Sequence, residues 1–363
     1  MTNQWIANRR LNNQHITGSK LTEPEQVVKL LGAMQAQDYM QVVWAMGLRT
    51  QGATLSKIQQ AITDRKIILT WTLRGTIHCV PSEDVKWMIQ LTASRVLGQA
   101  KSRLVQLGLD NETLGRCRRV IYKTLEDQGQ VTRSDLLQQL EDAGISTANQ
   151  RGYHILWNSA FHGLICFGPM AGKEQTFVLL DEWVPHSREL SFEESLAELA
   201  LRYFISHGPA TIQDFAWWSG MKLMDSRRAH DAIKSELQSE RLDEVEYWMS
   251  KSSTAADESQ DSSIYLLPGF DEYILGYKDR SAVLEAEIAP RIVPGNNGVF
   301  LPTLVTGGKV IGTWKRNLKL KGIVMTIAPF ESLVGREAEV IQAAERYAAF
   351  IGLPILKIAY KEE

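Results

Sequence analysis

Apolar residues recur every three to four positions in several stretches of the chain, and this spacing predicts amphipathic helices. Clear examples are "EPEQVVKLLGAMQAQ", "LSKIQQAITDRK" and "REAEVIQAAERYAAFIG". Shorter runs rich in β-branched and aromatic residues predict β-hairpins, as in "IILTWTLRGTIHCVP" and "KVIGTWKRNLKLKGIVMTIAP". The pattern therefore predicts a fold that is mainly α with β-hairpin wings, in the α+β class.

One segment of the chain is repeated in a recognisable form. "GQVTRSDLLQQL" begins at Gly129 and "GPATIQDFAWWSG" begins at Gly208, and both read G-x-[VA]-T-x-x-D-[LF]. Thr132 and Thr211 are predicted N-caps, because a threonine hydroxyl accepts a hydrogen bond from the first helical turn. A further helix and two β-type runs follow each copy. This order is typical of the winged helix-turn-helix.

The β-type runs of the second copy are read as "LDEVEYWM" and "SIYLLPG", joined by the polar stretch 250–263. Before them, "DSRRAHDAIKSELQSE" is predicted to be helical. The N-terminal third is interpreted as a more diverged third copy, followed by the long helix "SEDVKWMIQLTASRVLGQAKSRLVQ". The predicted divisions are winged-helix 1 with a linking helix at 1–105, winged-helix 2 at 106–188, winged-helix 3 at 189–267, and an α/β subdomain at 268–363.

Composition limits the class of protein and the cellular compartment that the sequence can represent. The 363 residues are 44% hydrophobic and 23% charged, which is ordinary for a globular protein, and no apolar run approaches the roughly 20 residues that cross a bilayer. The N-terminus lacks the apolar core of a signal peptide, and Cys79, Cys117 and Cys166 show no CxxC spacing. We therefore expect buried thiols and a cytoplasmic, nucleoid-associated protein of a bacterium. With a net charge of −2, any nucleic-acid face must be a local patch.

Two glutamines in an apolar neighbourhood raise the question of chemistry. Gln35-Ala36-Gln37 lies beside Met34 and Tyr39. Residues i and i+2 point about 200° apart on a helix, so both glutamines could face one pocket only at a helix end or in a loop. The alternative is an ordinary helix C-terminus with solvated glutamines.

Four stretches follow one another along the chain in a characteristic order: "MQAQDYMQVVWAMGLRT", "LTWTLRGTIHCVPSEDVKWM", "LPGFDEYILGYKDR" and "GGKVIGTWKR". In these stretches the sequence resembles the bacterial AlkZ-type DNA glycosylases, which excise alkylated purines and in some members unhook interstrand crosslinks. The resemblance implies stacked winged helices around DNA and a catalytic motif of glutamine, apolar residue, glutamine. That motif maps onto Gln35-Ala36-Gln37, with an alanine where a bulkier residue is expected.

The chemistry is consistent with that motif. A purine alkylated at N7 or N3 is already cationic, so it leaves as a neutral base without a general acid. The enzyme must then hold a water and stabilise positive charge on the sugar, and a carboxamide oxygen can do both. The neighbouring Asp38 is a further candidate base.

Three basic or imidazole side chains are candidate DNA contacts. Arg49 ends the first family stretch, and Arg74 and His78 flank the predicted turn of the first hairpin. Arg74 suits a phosphate or the minor groove. The alternative is an arginine in solvent and a histidine buried on the sheet.

Aromatic and cationic residues complete the candidate DNA-binding set. Trp44 and Trp71 are candidate walls of a base pocket, since an extruded base stacks on aromatic rings, with core packing as the alternative. Lys315, Arg316 and Lys319 alternate along a predicted strand and suit phosphate contacts, with a charged edge strand as the alternative.

The sequence thus predicts a monofunctional DNA glycosylase, a monomer acting on double-stranded DNA with alkylated bases. We expect no metal, since no carboxylate or cysteine completes a set with His154 and His162, and no nucleotide cofactor or membrane partner. The alternative function is a non-catalytic winged-helix DNA-binding regulator. Three repeats in one chain speak against it, because such regulators usually carry one repeat per protomer.

Overall fold

The structure, a computed structural model, describes residues 2–252 and 262–361. Short 3-10 turns lie at Leu73–Gly75, Ser82–Asp84, Lys234–Glu236 and Pro294–Asn296. The α-helices of the described residues are α1 (Asn3–Asn13), α2 (Pro24–Leu31), α3 (Tyr39–Arg49), α4 (Leu55–Thr63), α5 (Val85–Gln106), α6 (Asn111–Gln128), α7 (Arg133–Asp142), α8 (Arg151–Phe161), α9 (Leu180–Trp183), α10 (Phe192–Ser206), α11 (Ile212–Ser219), α12 (Leu223–Ile233), α13 (Glu272–Leu275), α14 (Ala289–Ile292) and α15 (Glu337–Ile351).

Strands are interspersed among these helices, so the chain has a mixed α/β fold. The strands of the described residues are β1 (Met34–Gln35), β2 (Ile67–Trp71), β3 (Ile77–Pro81), β4 (Gln130–Thr132), β5 (Ile165–Ala171), β6 (Glu174–Leu179), β7 (Leu237–Leu242), β8 (Val245–Ser250), β9 (Tyr265–Leu267), β10 (Thr303–Thr306), β11 (Lys309–Lys319), β12 (Gly322–Pro329) and β13 (Ile355–Tyr360).

The chain forms two compact units. Ala61–Ser195 makes one, here called the middle unit, and the described residues before 61 and after 195 together make the other, the split unit. The four divisions expected from the sequence are drawn at other positions and stay a prediction.

The middle unit contains an antiparallel sheet in the order β3-β2-β5-β6-β4. The β2–β3 hairpin turns at Leu73–Gly75, as the sequence predicted. Three buried rings, Trp71, Phe167 and Phe177, pack together on this sheet, with centroids 4.6 Å apart for the first two. Burying three such rings contributes several kcal/mol to folding, which makes this sheet the core of the unit.

The split unit contains a second sheet, in the order β13-β12-β11-β10-β9. Strand β13 pairs with β12 in parallel, and the other pairs are antiparallel. The β11–β12 hairpin and helix α15 both confirm sequence predictions. Helix α15 packs Tyr347 and Phe350 against Trp44 of α3, so residues from both ends of the chain share one core.

The predicted N-caps are confirmed. The Thr132 hydroxyl accepts from the backbone N–H of Asp135 at 3.1 Å at the start of α7. The Thr211 hydroxyl accepts from the backbone N–H of Asp214 at 3.0 Å, and the Asp214 carboxylate accepts in return from the backbone N–H of Thr211, which makes a reciprocal capping box for α11.

One predicted hairpin is wrong. Strand β8 pairs with β7, and β9 pairs with β10, so "LDEVEYWM" and "SIYLLPG" are not partners. The helix predicted over "DSRRAHDAIKSELQSE" ends at Ile233, and its last residues belong to β7. That run is rich in good helix formers, so its local sequence favoured a helix. Its last residues form β7 instead, because β7 is stabilised by pairing with β8. Most of the polar stretch 250–263 lies outside the described residues.

No helix among the described residues is long and apolar enough to cross a membrane.

Candidate active site

The glutamine motif lies in the connection between α2 and α3. Helix α2 ends at Leu31, because Gly32 adopts a positive φ of 78° that L side chains rarely take, and Met34–Gln35 is extended. Helix α3 begins at Tyr39, with Asp38 as its N-cap. The helix predicted to run through Gln37 therefore stops earlier, while the prediction that the motif needs a helix end or a loop is confirmed.

The two glutamines differ in exposure. Gln35 is 8% exposed and Ala36 is 4% exposed, whereas Gln37 is exposed. Within the described residues no hydrogen bond joins the Gln37 carboxamide to another group. The motif thus combines a buried glutamine with one that is open to a ligand or water.

A buried carboxylate meets the backbone of this motif. Oε1 of Glu272 accepts a hydrogen bond from the backbone N–H of Gln35 at 3.2 Å, and Oε2 accepts from Nε1 of Trp218 at 2.8 Å. Nε2 of His207 lies 3.4 Å from Oε2, and burial lowers the pKa of His207. Glu272 itself is 1% exposed.

Arg49 forms an ion pair with Asp271, the residue that precedes Glu272 in the chain. Its guanidinium forms a bidentate pair with Asp271, with distances of 2.9 and 2.8 Å, and its other N–H groups go to Gln14 and to the carbonyl of Ala45. Both side chains of the ion pair are fully buried. The structure therefore places Arg49 in the core, where it fixes the start of α13, and not at a surface that meets phosphate.

The two tryptophans proposed as base-stacking walls also lie in cores. Trp44 is 3% exposed and donates from Nε1 to the carbonyl of Leu266 at 2.7 Å. Trp71 is 3% exposed inside the ring cluster of the middle unit. Core packing, the alternative given for both residues, is what the structure shows, since neither ring presents a face to solvent.

The β2–β3 hairpin holds Arg74 and His78 together. Arg74 is half-buried at φ 56°, and its guanidinium lies 3.4 Å from Nε2 of His78. His78 is fully buried, and burial together with Arg74 lowers its pKa to about 3. The histidine is thus neutral and enclosed at physiological pH, and of this pair only Arg74 is open to a DNA contact.

The cations of β11 are the most open of the predicted DNA contacts. Lys315 and Lys319 are exposed on one face of the strand, and Arg316 lies on the other face, with its guanidinium 5.6 Å from the ring centroid of Tyr347. The hairpin turns at Leu320-Lys321, where Leu320 is 97% exposed. This tip offers both charge and an apolar side chain.

No group of three or more His, Cys, Asp or Glu residues able to hold a metal occurs in the described part of the chain. Cys79, Cys117 and Cys166 are free and buried. Desolvation raises the pKa of the Cys79 and Cys166 thiols, which are therefore poor nucleophiles.

The family described as "DNA glycosylase AlkZ-like" matches residues 28–350. The chain belongs to this family. Its sequence is similar to the interstrand DNA cross-link repair glycosylase of Streptomyces sahachiroi, with 21% identity over 356 residues that cover 94% of this chain and 93% of the relative. Its fold is similar to the solved structure of Streptomyces sahachiroi DNA glycosylase AlkZ, with a TM-score of 0.82 and 21% identity over 99% of this chain and 100% of the other.

Membership of the AlkZ-like family confirms the prediction of a DNA repair glycosylase, an enzyme that hydrolyses N-glycosyl bonds. The residues that act in this AlkZ-like glycosylase remain predictions. The motif lies on a loop with one exposed carboxamide, which is an arrangement that a substrate can reach.

The sequence reasoning missed Glu272, Trp218 and His207. Glu272 lies inside "LPGFDEYILGYKDR", a stretch that was used only as a family signature. An acidic pair flanked by apolar and aromatic residues, as Asp271-Glu272 is here, is a signal for buried carboxylates. The partner of Glu272 could not be read from the sequence, since 237 residues separate it from Gln35.

Proposed function

We propose that this AlkZ-like glycosylase excises purines that carry a positive charge from alkylation at N7 or N3, by hydrolysis of the N-glycosidic bond. The observation that carries the proposal is the pair of carboxamides on the α2–α3 connection, with Gln35 buried and Gln37 exposed. Gln35 and Gln37 are proposed to place the attacking water and to stabilise positive charge on the sugar, because the family resemblance assigns the catalytic motif to these positions.

Bond cleavage passes through a sugar with oxocarbenium character, which water attacks from the face opposite the departing base. A cationic purine departs as a neutral molecule and needs no proton. The enzyme must then place the water and meet the positive charge on the sugar. A carboxamide oxygen does both, because it accepts a hydrogen bond from water and directs the negative end of its dipole at the cation.

Asp38 does not replace these groups in the proposal. Its carboxylate caps α3, with Oδ1 accepting from the backbone N–H of Gln41 at 3.3 Å. A carboxylate that serves as an N-cap is held toward the helix by the helix dipole and by this hydrogen bond. We therefore assign Asp38 to the loop geometry and not to proton transfer.

Binding to the duplex is proposed to rest on few cations. Lys315, Lys319 and Arg316 of the β11–β12 hairpin and Arg74 of the β2–β3 hairpin are the contacts retained, since Arg49, His78, Trp44 and Trp71 are buried. We further propose that the order of helices and hairpins along the chain makes three winged-helix repeats, at 1–105, 106–188 and 189–267, followed by the α/β subdomain. The protein is proposed to act as a monomer, in the cytoplasm beside the chromosome.

A second activity, unhooking of interstrand crosslinks, is favoured by the name of the Streptomyces relative. Crosslinks formed at purine N7 leave the attached base cationic. The same two carboxamides therefore suffice for the chemistry, without a further catalytic group.

The test is a set of duplexes that each carry one lesion. After incubation with the enzyme, heating in alkali reveals abasic sites, and a parallel sample without alkali reveals direct strand breaks. We expect release of N7-methylguanine and N3-methyladenine, no release of uracil, hypoxanthine or ethenoadenine, and no breaks without alkali. Fast release of a neutral base would show that a group other than these glutamines supplies an acid. An N7-crosslinked duplex decides the second activity, and DNA binding without release of any base would favour the regulator.

A further inference from the structure

We infer that Glu272 is a positioning residue for excision, because its carboxylate holds the backbone of Gln35 and thereby sets where the Gln35 carboxamide points. This inference rests on the proposed function. Glu272 is the first residue of α13, and its Oε1 accepts from the backbone N–H of Gln35 at 3.2 Å.

The surroundings of Glu272 are costly for a carboxylate. It is 1% exposed, and none of the lysines and arginines in the described segments forms an ion pair with it. The nearby Arg49 is committed to Asp271. Burial of a charge without a cationic partner is strongly unfavourable unless hydrogen bonds compensate it. Core packing alone does not explain an acidic residue here.

The donors around the carboxylate orient it towards the motif. Nε1 of Trp218, which can only donate, bonds Oε2 at 2.8 Å, so Oε1 remains for the Gln35 backbone. Hydrogen bonds to an ionised acceptor are shorter and stronger than neutral ones. Trp218 and Glu272 thus make a chain of contacts that ends on the motif.

The segment that leads into Glu272 is itself held by two contacts with α3. The backbone N–H of Gly269 donates to Oε1 of Gln41 in α3 at 2.9 Å, and Asp271 receives the Arg49 guanidinium, also from α3. Glu272 therefore moves little relative to the helix that follows the motif. Catalytic groups must be held within about 0.5 Å of their productive place, and this is the order of control that a rigid anchor supplies.

The experiment measures single-turnover release of N7-methylguanine and, separately, the dissociation constant for the same duplex. Glu272→Gln keeps the side-chain shape but replaces one acceptor by a donor, and we expect its release rate to fall about 10- to 100-fold, with DNA affinity changed less than about 3-fold. Trp218→Phe removes only the donor to Oε2, and we expect a smaller loss of about 3- to 10-fold, since the carboxylate is then less well oriented.

A double-mutant cycle separates positioning from a general loss of structure. In a Gln35→Ala background, Glu272→Gln should reduce the rate by less than about 3-fold further, because the carboxamide that it positions is already gone. Asp84→Asn is the matched control: this carboxylate is fully buried in the middle unit and accepts from Nε1 of Trp87 at 2.8 Å, as Glu272 accepts from Nε1 of Trp218. It should lower the free energy of unfolding, measured in urea, and leave the rate per folded molecule unchanged.

The outcomes are distinct. If the wild-type protein releases no cationic base, the proposed function fails, and the inference fails with it. If the wild type is active and folded Glu272→Gln matches its rate, or if the losses in the double mutant are additive, the inference alone is overturned. Should Glu272→Gln not fold, Trp218→Phe decides, and a rate equal to that of the wild type overturns the inference.

Discussion

Gln35 and Gln37 are separated by one residue, yet they have different surroundings. Gln35 is nearly enclosed and its backbone is held by Glu272, whereas Gln37 is exposed on the loop before α3. Met34–Gln35 is extended and α3 begins only after Asp38, so the motif lies outside both helices and the helical spacing that would point the two carboxamides apart does not apply.

Replacing either glutamine tests the motif directly. Gln37→Ala should fold normally, because the side chain is exposed and makes no hydrogen bond within the described residues. Single-turnover excision should fall by roughly 100-fold or more, which is the effect of losing one preorganised polar group. Gln35→Ala should show a similar decrease. Circular dichroism and DNA affinity control for folding and binding, and wild-type rates in both variants would reduce the motif to an ordinary loop.

His78 makes the stability of the protein depend on pH. Burial and the adjacent Arg74 lower its pKa from 6.5 to about 3 in the folded protein. Below pH 6.5 the unfolded chain binds a proton that the folded protein does not. The stability from the neutral ring is therefore fully present above pH 6.5 and is lost as the pH falls towards 3.

The measurement is urea unfolding at pH 7 and pH 5 for the wild type and for His78→Gln. Between these values a fully shifted histidine loses about 2 kcal/mol. The wild type should therefore lose about 2 kcal/mol more than the variant, and carboxylates common to both proteins cancel in the comparison. An equal loss in both proteins would show that the folded protein accommodates a charged His78.

Among the secondary-structure elements, the β11–β12 hairpin carries the clearest DNA-binding candidates. Lys315 and Lys319 are four residues apart on β11 and share one face, because side chains alternate along a strand. Both are exposed, and the turn between the strands carries Lys321 and the almost fully exposed Leu320. This is the only stretch where the cations expected from the sequence are displayed together on the described surface.

Lys315→Ala and Lys319→Ala should each weaken duplex binding about 2- to 5-fold near 0.1 M salt, and the double variant should reduce the slope of log affinity against log salt by about 2. Lys357→Ala, on exposed β13 of the same sheet, is the matched control and should change neither quantity. Because the net charge is −2, the wild-type slope should itself be shallow. A slope that implies ten or more phosphate contacts would show that other cations form the binding face.

Which elements could be predicted depends on how local their causes are. The N-caps Thr132 and Thr211 and the β2–β3 and β11–β12 hairpins follow from neighbouring residues, and all four were predicted. The pairing of β7 with β8 and of β9 with β10 depends on strands finding partners, so the local sequence misassigned it. The early end of α2 is an intermediate case. Gly32 is a local signal for a helix end, but the apolar pattern that continues beyond it favoured a longer helix.

The candidate site shows the same division. The glutamine motif could be identified from a short stretch of sequence, because a family signature is local. Two other features could not be predicted from local sequence, because they bring distant parts of the chain together. These are the contacts of Glu272 with the motif and with Trp218, and the buried ion pair of Arg49 with Asp271. Charge and aromatic character in the sequence indicated function for Arg49, Trp44 and Trp71, whereas tertiary packing placed them in cores.

For the whole molecule, the two compact units divide the predicted residues. Gln35, Gln37, Lys315, Arg316 and Lys319 belong to the split unit, and Arg74 belongs to the middle unit. The glutamine motif and the residues that hold it are thus contained in one unit. The split unit must therefore be folded for the motif to form, and folding of the middle unit alone is not sufficient.

The split unit has a consequence for how the protein is made. A ribosome releases Gln35 early, but the 237 residues that separate it from Glu272 take about 10 to 50 s more at usual bacterial and eukaryotic speeds. During that interval the middle unit, which is continuous in sequence, can complete its core on the nascent chain. The Gln35 backbone can form its hydrogen bond with Glu272 only after translation is well past α13. The contact between Gln35 and Glu272 therefore forms only late in the synthesis of the chain.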